Sequence, residues 1–171
     1  MHITEEKTQR HTLAVMVDNE PGILARIAGL FTARGYNIES LTVSDVTADQ
    51  AVSRITIVTS ASPHVMEQIM AQLDRLVPVH SVTDLTALGP HVERELALLK
   101  VAGLGEHRIE ALRLADVFRA RVVDTTINSF VFELTGGREK IDGFIALMRQ
   151  VGLCEVARTG IVAIARGDKA I

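Results

Sequence analysis

Apolar positions along the chain predict two successive runs of the same elements. From His11 to Asp18, Leu13, Val15 and Val17 recur at every second position, as one face of a strand does. Ala14 and Met16 make the other face apolar too, which suits a strand covered on both sides. Ile23, Leu24, Ile27, Leu30 and Phe31 then follow at helical spacing. Pro21 fits the first turn of that helix, where a missing N–H costs nothing. Gly35 closes it in the left-handed conformation that glycine adopts cheaply. Tyr36 to about Val46 reads as a second strand, Ala48-Asp49-Gln50 as a turn, and Ala51–Thr59, rich in β-branched residues, as a third strand. Ser60 or Ser62 caps the next helix, with Pro63 near its start and Val65, Met66, Ile69, Met70 and Leu73 inward. Val77–Leu88 is extended again. The order βαββαβ predicts a four-stranded antiparallel sheet with both helices on one face, the ferredoxin-like arrangement.

Gly89-Pro90-His91 interrupts the chain, and the order repeats. Glu95–Val101 reads as a strand and Gly103-Leu104-Gly105 as a loop. His107–Arg119 reads as a helix with Ile109, Leu112 and Ala115 in register. Arg121–Ile127 and Phe130–Thr135 read as a hairpin turning at Asn128-Ser129. Lys140–Val151 follows as a helix with Ile141, Phe144, Ile145 and Met148 inward, and Ile161–Ala165 as the last strand. The expected class is α+β, with two ferredoxin-like βαββαβ domains over residues 1–88 and 89–171, residues 1–10 being a polar extension. Each domain leaves one sheet face without helices. Apolar side chains on the first such face and its edges call for pairing or cover, and a two-fold homodimer supplies both.

Composition narrows the function. The 171 residues are 47% hydrophobic and 23% charged, enough for real cores. Only 4% are aromatic and none is Trp, which disfavours stacking on single-stranded nucleic acid. A formal charge of −3 favours neither nucleic acid nor an anionic membrane. No apolar run approaches the roughly 20 residues of a membrane span. The start Met-His-Ile-Thr-Glu-Glu-Lys lacks the pattern of a secretory signal. A cytoplasmic protein is expected. The one cysteine, Cys154, reads as a buried structural thiol. The six histidines show no metal-ligand spacing, and Gly103-Leu104-Gly105 lacks the third glycine of a dinucleotide loop.

Asn19-Glu20-Pro21-Gly22 is the stretch with chemistry. It is either a plain helix cap, with Asn19 or Asp18 capping, or the floor of a small-zwitterion site. In the second case the unpaired N–H groups of a helix start, with a partial charge of about half a unit, favour a carboxylate. Gly22 allows close approach of a ligand, and Asn37 brings both a donor and an acceptor.

Asn19-Glu20-Pro21-Gly22-Ile23-Leu24-Ala25-Arg26, followed by Arg34-Gly35-Tyr36-Asn37-Ile38-Glu39-Ser40-Leu41-Thr42-Val43, resembles the N-terminal ACT domain of the acetolactate (acetohydroxyacid) synthase small subunit. His91-Val92-Glu93-Arg94-Glu95-Leu96 resembles the same family. So does Glu155-Val156-Ala157-Arg158-Thr159-Gly160, leading to Ala165-Arg166-Gly167-Asp168. The resemblance implies a non-catalytic regulatory subunit. Its partner would be the large catalytic subunit, which carries thiamine diphosphate, Mg and FAD, with no cofactor in this chain. It further implies activation of that partner and feedback inhibition by a branched-chain amino acid, valine first, at an ACT dimer interface. By motif match the effector residues are Asn19, Glu20, Pro21, Gly22, Ile23 and Leu24 of one chain, with Asn37 and Ile38 of the other. A hydrophobic pocket separates ligands one methylene apart by only about 10–200-fold, so leucine and isoleucine stay open. The alternative is a free-standing ACT-domain sensor acting on another partner. As a transcription regulator it would need a helix-turn-helix and a basic patch, and neither is legible.

Overall fold

The structure, a computed structural model, describes residues 7–171. The first six residues of the expected polar extension lie outside that range. The chain forms two compact units, residues 7–92 with 161–171, and residues 93–160.

In the first unit β1 (Gln9–Asp18), β2 (Ser40–Asp45), β3 (Val52–Ala61) and β4 (Val79–Asp84) form an antiparallel sheet in the order β2-β3-β1-β4. Helices α1 (Ile23–Ala33) and α2 (Pro63–Asp74) cover one face. Leu13, Val15 and Val17 of β1 meet Ile27 and Phe31 of α1 and Met66, Ile69 and Leu73 of α2 there. The alternation that predicted β1 is thus the alternation of its buried face. Gln9 and Arg10 belong to this strand, not to an extension. Leu24 is 42% exposed, so its side of α1 faces away from the core, contrary to its expected inward position. After β4 the chain does not stay extended. Asp84 caps a single helical turn, α3 (Leu85–Leu88), accepting from the N–H groups of Thr86 and Ala87.

The second unit repeats the topology. Strands β5 (His91–Ala102), β6 (Arg121–Thr125), β7 (Ser129–Gly136) and β8 (Leu153–Arg158) run in the order β6-β7-β5-β8. Helices α4 (Glu106–Phe118) and α5 (Arg138–Met148) cover one face around Phe132, Phe144 and Met148. Two expectations fail here. First, Ile109 and Leu112 of α4 are exposed, and Ala111 is buried beside Ala115, which is inward as read. Second, the closing strand is β8, not Ile161–Ala165. β8 is an edge strand whose residues are mostly exposed, so it lacks the apolar alternation that marks a strand. Cross-strand charge pairs, Lys100 with Glu155 and Glu95 with Arg158, fasten it instead. The Lys100 ammonium holds the Glu155 carboxyl below its ordinary range, and Glu155 raises Lys100 in return. Cys154 on this edge is exposed, not buried.

The Ile161–Ala165 stretch contains β9 (Val162–Ala165) and returns to the first unit. The two units therefore do not divide at a single point after residue 88.

Candidate effector site

The loop after β1 is held by its asparagine. The Asn19 N–H donates to the Ala51 carbonyl at 2.8 Å. The Asn19 side-chain amide donates to Asp45 Oδ1 at 3.2 Å and to the Gln50 carbonyl at 2.9 Å. Ser53 Oγ donates to the same Asp45 oxygen at 2.9 Å. Asn19 is therefore a latch onto the β2–β3 hairpin, and no side chain caps α1. Pro21 precedes the helix, and Gly22 is its N-cap residue in the left-handed conformation, φ 88° and ψ −5°. Glu20 turns back onto Arg26, whose guanidinium donates to it at 3.2 Å.

This geometry leaves donors facing outward. The Arg26 N–H bonds to the Gly22 carbonyl and the Ile23 N–H to the Glu20 carbonyl. Among the described residues the N–H groups of Gly22, Leu24 and Ala25 have no protein acceptor. No atom lies within 4 Å of where a Gly22 Cβ would stand. A carboxylate can reach these donors along the helix axis, where the peptide dipoles favour negative charge. The exposed Leu24 offers apolar surface beside them. Ile23 does not, because it is 7% exposed and belongs to the core.

Asn37 and Ile38 lie at the other end of the sheet. Tyr36 anchors their loop, edge-to-face on Phe31 with ring centroids 6.2 Å apart. The Asn37 carbonyl accepts from Thr59 Oγ1 at 2.6 Å. Its exposed side-chain amide has no protein partner among the described residues. Ile38 is half-buried against the core. Asn19 sits by Ala51, before the start of β3, and Asn37 sits by Thr59, near its end. At roughly 3.3 Å per residue, Ala51 and Thr59 are about 26 Å apart along the strand. One protomer does not bring the eight residues together.

β2, the strand that Asn37 and Ile38 lead into, is a sheet edge, with Val43 and nearby Val46 exposed. The latching role of Asn19 was invisible in the sequence. Its partners Asp45 and Gln50 lie 26 and 31 residues away, and only the hairpin register brings them close.

The βαββαβ order of the first unit is the one that the resemblance to an ACT domain implied. Residues 13–81 match the AHAS small subunit-like ACT domain, and residues 94–167 match the family described as small subunit of acetolactate synthase. A probable acetolactate synthase small subunit of Archaeoglobus fulgidus is 49% identical, over 94% of this chain and 99% of its own length. The acetolactate synthase isozyme 3 small subunit of Escherichia coli is 45% identical, over 94% and 98%. The crystal structure of the Thermotoga maritima small subunit superposes with a TM-score of 0.85 at 37% identity, over 94% of this chain and 99% of that one. The chain belongs to the acetolactate synthase small-subunit family.

Proposed function

We propose that this chain is the regulatory subunit of an acetolactate synthase. It binds the large catalytic subunit, raises its activity and makes it sensitive to a branched-chain amino acid, valine first. Thiamine diphosphate, Mg and FAD belong, in this reading, to the catalytic partner, and this chain carries out no chemistry of its own.

The observation that carries the reading is the opposed placement of the two half-sites on an edge strand. If β2 pairs antiparallel with β2 of a second copy, the start of each strand meets the end of the other. Asn37 and Ile38 of one protomer then approach the Asn19–Leu24 loop of its partner. Two equivalent sites form, each with helix-start donors for a carboxylate, an amide for the polar end and Leu24 with Ile38 for an aliphatic side chain. An amino acid bound there favours the dimer geometry it fits best, and it shifts the equilibrium only by its differential affinity.

The test is reconstitution with the large subunit of the same source. This chain alone should make no acetolactate from pyruvate. Added to the large subunit, it should raise turnover and confer inhibition by valine. Turnover by a preparation free of large subunit would contradict the non-catalytic role. Sedimentation at micromolar concentration with valine present should give a dimer, and a monomer would remove the shared site. Asn37→Ala should weaken valine inhibition by the cost of a lost polar contact, about 1–2 kcal/mol, with stimulation of the large subunit retained. An unchanged valine titration would take Asn37 out of the site.

A further inference from the structure

The helix-free face of the first sheet was expected to need cover. The register places Thr12, Ala14, Val58, Thr56, Ser40, Thr42 and Arg54 on that face, opposite to Leu13 and Val15. Thr12, Ala14, Thr56 and Val58 are all buried. Part of the cover is the returning C-terminal segment. Ile161 and Ala163 point inward, 4% and 7% exposed, while Val162 and Ile164 point out. Ala163 packs with Ala14 and Leu85, and Ala165 and Ile171 lie against the same cluster.

Three polar contacts fasten this segment. The Ile161 N–H donates to Ser40 Oγ at 2.9 Å, and Thr42 Oγ1 donates to the Ile161 carbonyl at 3.0 Å. Arg54 donates to the Ala163 carbonyl at 2.7 Å. Burial lowers the Arg54 guanidinium from its ordinary value. One strap residue, Ile161, is thus clamped at both its N–H and its carbonyl by alternate residues of β2. β2 begins two residues after Ile38.

We propose that residues 161–171 are a strap through which the effector strand is positioned, with Ser40, Thr42 and Arg54 as its positioning residues. This rests on the effector site proposed above. Asn37 and Ile38 open the loop into β2, so fixing Ser40 and Thr42 fixes where those two residues stand. A change in β2 on effector binding must carry Ile161 with it or break its two bonds. Regulation is then coupled to the C-terminal strap in a way that activation is not.

The test compares the parent with Ser40→Ala/Thr42→Val, which keeps strand shape and removes both hydroxyl partners. Holoenzyme is reconstituted with the large subunit, and stimulation, valine titration and hydrogen exchange at the Ile161 amide are measured. The expected result is faster exchange at Ile161, unchanged stimulation without valine, and a half-inhibiting valine concentration raised about tenfold. Ser40→Thr, which keeps a hydroxyl, should stay close to the parent. Faster exchange with an unchanged valine response overturns the strap's role, and so does unchanged exchange. Loss of stimulation in the variant overturns the separation of the two effects. A parent holoenzyme indifferent to valine, leucine and isoleucine overturns the effector reading itself, and the strap's role with it.

Discussion

Gly22→Asp is expected to abolish valine inhibition while leaving activation of the large subunit in place. The Gly22 Cβ position opens onto empty space in the protomer, next to the outward N–H groups of Leu24 and Ala25. A carboxylate there occupies the approach of the effector's own carboxylate. At about 4 Å two like charges repel by roughly 4 kcal/mol at an effective dielectric of 20, which corresponds to about a thousandfold in affinity. The cost to the fold is smaller. Gly22 has φ 88°, where a non-glycine residue costs on the order of 1–2 kcal/mol, with aspartate among the better tolerated. The residue is the N-cap and not part of the first turn, and a negative charge there suits the helix dipole. The assay is a valine titration of reconstituted enzyme, with thermal denaturation of the isolated variant to measure the fold. Retained sensitivity would remove Gly22 from the site.

Arg158→Met should clearly destabilise the second unit. Glu95 is 5% exposed, and both its oxygens are held at 2.6 Å by the Arg158 guanidinium, which also donates to Asp142 at 2.7 Å. Glu95 raises the guanidinium's pKa further above its ordinary value. On the arginine's side the contribution is lost only as pH rises through that raised value, so the guanidinium adds no pH dependence near neutrality. Methionine keeps much of the volume and strands the Glu95 charge. Breaking a buried pair costs about 3–5 kcal/mol. Because Arg158 is one-third exposed, the lower end applies. Glu95→Leu/Arg158→Met should recover much of the loss, since no charge is then left buried. Urea denaturation measures both. A loss under about 1 kcal/mol, typical of an exposed pair, would show that water reaches Glu95.

Strong periodicity carried most of the fold in the sequence. β1 and α5 were legible because their buried faces repeat at 2 and 3.6 residues, and Ile141, Phe144, Ile145 and Met148 are all buried as read. Where burial is one-sided or carried by small residues, the pattern misleads. Ile109 and Leu112 fall at helical spacing with Ala115, yet only Ala115 of the three is buried, and Ala111 one turn before it takes the inward place. β8 is fastened by ion pairs and not by apolar alternation, and β9 reads as its substitute because Ile161 and Ala163 are buried in the other unit.

The candidate site was legible as residues but not as roles. Gly22 and Asn37 are exposed in the protomer. Asn19 is committed to Asp45 and Gln50, and Ile23 to the core. Those commitments depend on strand register and helix phase, which a motif does not encode.

The most direct measurement is a valine titration of the large subunit's acetolactate production, with and without this chain. The account predicts low activity that ignores valine for the large subunit alone. With this chain added, activity should be higher and should fall as valine rises. Equal activity with and without the chain, or stimulation that no branched-chain amino acid reverses, would contradict it.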